Sequence, residues 1–288
     1  MRLIEGIYGD KTGAPTVGYS LRSHACCGLC TVAGAAEASG RGTVRIPLGE
    51  HLTLSFAYSP VNQPRRGPTL LCYITDRKQF PGTPEAQEKQ LLNRIAECAA
   101  AGVDYIQLRE KDLSARELET LAGKAMSAIP GSSRARLLIN SRIDVALASG
   151  AHGVHLPAGS LPASEARAIW ARAGGAGAVI GVSTHSVAEA ASAEAHGADF
   201  AVFGPVFEKS GTMNPAGLEQ LKQACLRPAI AGAQMPVLAL GGVTLENALL
   251  CFQAGAAGIA GIRLFQRGDA AEIVSKLRAV LLAGLAGL

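Results

Sequence analysis

From Leu70 onward, short apolar runs alternate with longer alanine-rich segments whose apolar residues recur at helical spacing. The runs at 70–75, 103–108, 137–140, 153–156, 179–183, 200–204, 237–240 and 258–262 predict buried parallel strands. The segments at 84–101, 114–129, 142–149, 162–173, 186–196, 215–225, 244–254 and 269–283 predict helices. Ser114 followed by Glu117, Ser186 by Glu189 and Thr244 by Asn247 read as helix starts. Gly102, Gly150, Gly197 and Gly255 stand where helices need a C-cap. Eight strand–helix repeats within ~220 residues predict an α/β fold, a closed (β/α)8 TIM barrel. An open doubly wound sheet fits less well, because the repeat is even and no GxGxxG opens it.

Residues 1–68 have a different pattern and are expected to form an N-terminal extension, loosely ordered or a small β-rich appendage, with residues 69–288 making the barrel. The extension holds glycine-rich turns, a strand pair at 43–46 and 52–58, and a linker, NQPRRGP, at 62–68. A translation start just before Leu70 is a second reading. The cluster His24, Cys26, Cys27 and Cys30 includes one CxxC spacing, but no second pair stands at zinc-finger distance.

Composition narrows the function. With 48% hydrophobic and 17% charged residues and 34 glycines, the chain has the profile of a compact enzyme. A net charge of +4 without a Lys/Arg-rich block argues against nucleic acid. No apolar run reaches the ~20 residues of a membrane span, and MRLIEGIYGDK lacks a signal-peptide core. The expected location is the cytoplasm, with Cys72, Cys98, Cys225 and Cys251 as reduced core residues. A homo-oligomer is compatible with this reading.

In such a barrel, function collects at the C-terminal ends of the strands. The second strand sits in GVDYIQLREKD, 102–112, and delivers Gln107, Arg109 and Lys111, spaced by two so that an extended chain sets them on one face. Donors converging from one strand end suit a phosphate or pyrophosphate. The third strand ends in Asn140, Ser141 and Arg142, and Asp144 is expected to pair structurally with Arg142. His155 lies within an apolar strand and reads as a core or supporting residue. The fifth strand gives Ser183, Thr184 and His185; His185 serves either as an acid/base or as a cap of the next helix. The sixth leads into a loop with Lys209. Gly241-Gly242 after the seventh strand, and Gly261, Ile262 and Arg263 after the eighth, form the usual phosphate cradle of such barrels. Two separated anion sites imply two phosphorylated substrates or one long one.

The segments CYITDR, GVDYIQLREKD, LLINSRIDVAL, GVHLP, IGVSTHS, FAVFGPVFEKSG, PVLALGGV and AGAAGIAGI, in this order over ~70–265, resemble thiamine-phosphate synthase and its sister, the TenI-type thiazole tautomerase. The resemblance implies condensation of hydroxymethylpyrimidine pyrophosphate with thiazole phosphate, with Mg²⁺ helping pyrophosphate to leave. By that resemblance Gln107, Arg109, Lys111 and Asn140 hold pyrophosphate, and Ser183 sits near the reacting pyrimidine. Lys209 and the backbones of Gly241, Gly242, Gly261 and Ile262 hold the thiazole side. Two departures stand out. Acidic Mg²⁺ ligands of the family pattern are replaced by Ser141 and, in the GVHLP segment's continuation, by Ser160, which weakens the metal site. The alternatives are the tautomerase, with His185 moving a proton and no cofactor, and a non-catalytic binder of thiamine-related phosphates.

Overall fold

The computed structural model describes residues 69–175, 177–207, 216–227 and 234–286, together with four strands nearer the start; the side chains of those strands and of 281–286 are not described. The chain divides into two compact units, Met1–Gln63 and Pro64–Leu288. In the first, Arg2–Gly9 pairs antiparallel with Pro15–Arg22, and Gly42–Pro47 with Thr53–Tyr58. The second hairpin is the pair expected from the sequence. The first is masked there by Gly6, Gly9 and Gly18, which interrupt its apolar pattern. The His24–Cys30 cluster and the linker lie outside the described residues.

In the second unit eight parallel strands close a barrel. They are β1 (Leu70–Ile74), β2 (Tyr105–Leu108), β3 (Arg136–Asn140), β4 (Gly153–Leu156), β5 (Val179–Thr184), β6 (Phe200–Phe203), β7 (Val237–Ala239) and β8 (Gly258–Gly261). Around them run α1 (Pro84–Ala101), α2 (Ala115–Ala128), α3 (Ile143–Ala148), α4 (Ala163–Arg172), α5 (Val187–Ala195), α6 (Gly217–Leu226), α7 (Ala248–Gln253), α8 (Arg263–Gln266) and α9 (Ala270–Ala286). Closure through β8 and β1 leaves no strand edge to protect.

Local signals explain most boundaries. Ser114 and Glu117 form a complete capping box, and Ser186 accepts from the Glu189 N–H. Gly102, Gly150, Gly197 and Gly255 all take positive φ. Thr244 is the exception. Its N–H donates to Asn247 Oδ1 at 2.8 Å, Asn247 Nδ2 donates to the Gly242 carbonyl at 2.9 Å, and α7 starts only at Ala248. The Asn247 side chain thus reaches back to the Thr244 N–H as in one half of a capping box, and the Thr244 carbonyl accepts from the Ala248 N–H at 3.0 Å, so a single closed turn precedes the regular helix.

Strand alternation splits the core in two. Outward residues such as Leu71, Tyr73, Ile106, Leu137 and Ile139 pack against the helices. Inward residues Cys72, Ile74, Leu138, Phe200, Val202, Leu238 and Ala260 fill the barrel. The next inward positions along the strands are the polar ones, so the barrel's own packing aims them into the mouth. Among the described residues no helix is long and apolar enough to cross a membrane. Cys72, Cys98 and Cys251 are buried free thiols, and Cys225 is buried as well. Burial pushes the Cys98 and Cys251 thiols up to about 12, which makes them packing groups rather than nucleophiles.

Candidate active site

Gln107 ends β2 and Asn140 ends β3, and the parallel register brings their amides together. Gln107 Nε2 donates to Asn140 Oδ1 at 2.8 Å, and Asn140 Nδ2 donates to Ser141 Oγ at 3.0 Å. Gln107 is 3% exposed, and its Oε1 is buried without a partner among the described residues. This relay works equally in reverse, since a hydroxyl and two amides can each donate or accept. Reversed, Ser141 donates to Asn140, Asn140 donates to Gln107, and an N–H of Gln107 replaces the unpartnered oxygen. An anion beside Gln107 selects that reversed direction.

Arg109 follows on the same inward side, half-buried, with its N–H donating to Thr75 Oγ1 at 2.9 Å. Its positive charge reaches His155 across the mouth. Lys111 departs from the expected arrangement. The chain leaves the strand after Leu108 and turns at 111–112, so the two-residue alternation does not carry Lys111 to the face of Gln107 and Arg109; it is exposed. Lys209 lies outside the described residues.

His155 is 1% exposed, and its Nε2 lies 2.9 Å from Ser183 Oγ. Burial, aided by the Arg109 charge, pushes its imidazole down to about 3, so it is neutral at physiological pH. Its Nδ1 has no partner among the described residues. Leaving an N–H donor unsatisfied costs more than leaving a lone pair, so the proton belongs on Nε2 and is donated to Ser183. Ser183 then turns its own O–H toward the mouth. Space for the ring comes from Gly181, where a Cβ would stand 2.7 Å from His155 Nδ1 and 2.4 Å from Phe200 Cζ. Phe200 in turn stacks on Tyr105 with ring centroids 4.4 Å apart. His155 is therefore the supporting residue that its apolar surroundings implied.

Of the two roles left open for His185, the helix cap is taken by a neighbour. Ser186 caps α5, while the His185 N–H donates to Glu189 Oε2 at 2.6 Å. The ring Nδ1 contacts the Gly204 carbonyl, which only accepts, so Nδ1 carries the proton. Nε2 is left as the basic nitrogen of an exposed side chain.

Across the ring from β3, Gly241 and Gly242 follow β7 with φ of 94° and 66°. A Cβ on Gly241 would lie 2.6 Å from both Cα and Cβ of Pro205. Gly241→Ala is therefore expected to lower stability by about 1–3 kcal/mol, read from thermal melting, and to push the cradle open. A cavity of about 520 Å³ lies here, lined by Gly241, Gly242, Val243, Gly261, Ile262 and Arg263, among others.

The donor set fits Mg²⁺ poorly. Ser141, at φ 64°, has its hydroxyl tied to Asn140, and Ser160 Oγ donates to the Pro157 carbonyl at 2.8 Å. Asp144 is taken by Arg142, as expected, with contacts of 2.8 and 2.5 Å. Asp112 is taken by Arg77. A hard cation that favours carboxylates finds hydroxyls and paired acids on this side. Among the described residues no group of three His, Cys, Asp or Glu could hold a metal.

Glu110 carries a structural role that its place in a charged run conceals. It points outward, 5% exposed, and accepts from Thr75 Oγ1 at 2.6 Å, from the Arg77 N–H and from Arg77 Nη1 at 3.1 Å. Arg77 also grips Asp112 at 2.7 and 2.8 Å. Burial pushes the Glu110 carboxyl up against these contacts, whereas exposed Asp112 is held well below the carboxylate range by Arg77. The network locks the β1 and β2 loops and thereby fixes the backbone from which Arg109 projects.

A closed barrel that converges amides and a guanidinium on one side and a glycine cradle on the other is built to handle phosphorylated compounds. Sequence comparison makes the class specific. The profile of the family "Thiamine monophosphate synthase" matches residues 71–265, and the chain belongs to this family. The thiamine-phosphate synthase of Chlorobium luteolum is 38% identical over 206 residues, 70% of this chain and 88% of its own. A relative from Geobacter sulfurreducens, which carries the same designation provisionally, is 44% identical over 193 residues, 66% of this chain and 83% of its own. Among solved structures, thiamine phosphate pyrophosphorylase from Pyrococcus furiosus superposes with a TM-score of 0.60 at 28% identity, covering 75% of this chain and 96% of that one.

Proposed function

We propose that this protein condenses hydroxymethylpyrimidine pyrophosphate with thiazole phosphate, forming thiamine phosphate and releasing pyrophosphate. The observation that carries this reading is the placement of two anion-binding groups across one mouth. Asn140 on β3 and Gly241-Gly242 after β7 lie four strands apart in a ring of eight, and so on opposite sides. Gln107, Arg109 and Asn140 take the pyrophosphate, with Lys111 reaching in from its turn. Arg109 carries the charge that develops as the C–O bond to pyrophosphate breaks, where electrostatic stabilisation is worth most. The Ser183 hydroxyl, aimed by His155, faces the pyrimidine while the thiazole nitrogen captures the carbocation. The backbones at Gly241, Gly242, Gly261 and Ile262 hold the thiazole phosphate, and Lys209 belongs to the same side. No step is routed through Mg²⁺, because at the positions expected to hold it the described residues offer the tied hydroxyls of Ser141 and Ser160, with Asp112 and Asp144 paired to arginines. We place the protein in the cytoplasm, where such substrates and reduced thiols belong.

A second reading, thiazole tautomerisation, is favoured by His185, whose Nε2 is free to move a proton. One assay separates the readings: purified protein is given both substrates over a range of Mg²⁺ concentrations, and thiamine phosphate and pyrophosphate are quantified. Stoichiometric formation of both, retained within about threefold in His185→Ala, is the expected result. Conversion of the thiazole to its aromatic tautomer without condensation, abolished in His185→Ala, would establish the second reading instead. Silence in both reactions would leave a non-catalytic binder.

A further inference from the structure

Ser141 follows β3 at the position where the resemblance expects an acidic ligand for Mg²⁺. Among the described residues it is the one non-glycine of positive φ, at 64°. The turn is pinned by its own backbone: the Ser141 N–H donates to the His155 carbonyl at 2.9 Å, and the Arg142 N–H to the Asn140 carbonyl at 2.8 Å. Glycine, asparagine and aspartate tolerate this left-handed conformation better than serine does, so the backbone does not call for a hydroxyl here. The hydroxyl is instead one end of the amide relay, bonded to Asn140 at 3.0 Å, with Asn140 bonded to Gln107 at 2.8 Å. That relay runs from a buried amide to an exposed hydroxyl.

A serine and an ionised carboxylate do opposite things at this end of the relay. A carboxylate only accepts. It would hold Asn140 Nδ2, fix the relay in one direction, and set at the mouth a negative charge that an anion meets only across a bridging cation. A hydroxyl also donates. With Asn140 donating to Ser141, the hydroxyl hydrogen is free for an anion at the mouth; with the relay reversed, that hydrogen goes to Asn140 and the spare donor appears at Gln107. Either direction presents a hydrogen and no negative charge. The neighbouring acids Asp112 and Asp144 are already neutralised by Arg77 and Arg142. We propose that Ser141 is a specificity-determining residue that makes the ends of β2 and β3 a receptor for metal-free pyrophosphate, its hydroxyl and the relay supplying donors where an acid at this position would need a cation. This rests on the reading that a pyrophosphate-bearing substrate enters here.

The test is calorimetric binding of inorganic pyrophosphate to the full chain, once in EDTA and once with excess Mg²⁺, for wild type, Ser141→Gly and Ser141→Asp. Both substitutions suit the positive φ, so both variants should fold, which melting curves check. In wild type the two dissociation constants should agree within about fivefold. Ser141→Gly removes only the hydroxyl and should weaken binding in EDTA roughly threefold to tenfold, the cost of one hydrogen bond, without creating a response to Mg²⁺. Ser141→Asp should weaken it in EDTA roughly tenfold to hundredfold, because like charges then face each other, and Mg²⁺ should recover most of that loss. Wild-type binding that is absent in EDTA or tightened more than about fivefold by Mg²⁺ would overturn the proposal. An aspartate or glycine variant that holds metal-free pyrophosphate as tightly as wild type would do the same. Because no turnover is needed, a chain that makes no thiamine phosphate still upholds the proposal by this pattern, and a working synthase without the pattern refutes it.

Discussion

Replacing Arg109 by alanine should lower kcat for thiamine phosphate formation by about 10²–10³-fold, the usual cost of removing one preorganised group from a site of developing charge. Arg109 stands at the inward end of β2, beside the paired amides of Gln107 and Asn140 and within electrostatic reach of His155. It is half-buried, so its charge is less screened than that of exposed Lys111. The departing pyrophosphate gains charge as its bond to the pyrimidine breaks, and Arg109 interacts more strongly with the leaving group than with bound substrate. The loss should therefore fall on kcat rather than on KM. Arg109→Lys keeps the charge without the two-pronged geometry and should be intermediate. Steady-state kinetics with both substrates decides the matter, and a kcat reduced less than tenfold in the alanine variant would remove Arg109 from the chemistry.

Glu110→Ala should be the most damaging change to the fold near the site, costing about 3–5 kcal/mol. The carboxylate is buried, joins Thr75 to Arg77, and when removed leaves the Thr75 hydroxyl hydrogen and the Arg77 backbone N–H without their acceptor. Arg77 and Glu110 do not gain equally from their contact. Arg77 is also held by Asp112, while Glu110 bears the desolvation that pushes its carboxyl up. The expected loss thus comes mainly from the unmet donors of the Thr75 hydroxyl and the Arg77 backbone rather than from a strong attraction, since Asp112 still holds the Arg77 guanidinium. At about 2–4 °C per kcal/mol for a domain of this size, the melting temperature should drop by roughly 10 °C. Glu110→Gln, which keeps an acceptor toward Thr75, should lose about half as much. A melt within two degrees of wild type in the alanine variant would show that water fully replaces the network.

The fate of individual residues shows which kinds of inference a sequence supports. Asp144 pairs with Arg142 because the two lie two residues apart at a helix start, a contact set by local geometry. Ser114 and Glu117 close their capping box for the same reason. Lys111 stands in a turn rather than on the strand with Arg109, because alternation holds only while the chain is extended, and nothing in REKD marks where the strand ends. Glu110 looks like one more charge in that run, yet its role depends on Thr75 and Arg77, over thirty residues away. Thr244 resembles a cap by spacing, and the Asn247 side chain does accept from its N–H, but regular helix begins only at Ala248, one turn later. Arg263 is visible at the end of β8 in the sequence. That it is the one charged group among the cavity's described lining residues requires knowing what else lines it.

The sequence by itself determined the repeat of strand and helix, the barrel it implies, the family, and the strand ends on which chemistry must lie. Each of these follows from periodicities and caps that act within a few residues, or from motifs preserved in order along the chain. Only the tertiary structure decided which polar groups meet: the reversible relay from Gln107 to Ser141, the proton on His155 Nε2, the free nitrogen of His185, and the cavity beside Arg263. Those relations arise between neighbouring strands or across the barrel mouth, where distances of a few ångströms are set by closure of the ring and by the packing of Phe200, Tyr105 and Phe265 rather than by any spacing along the chain.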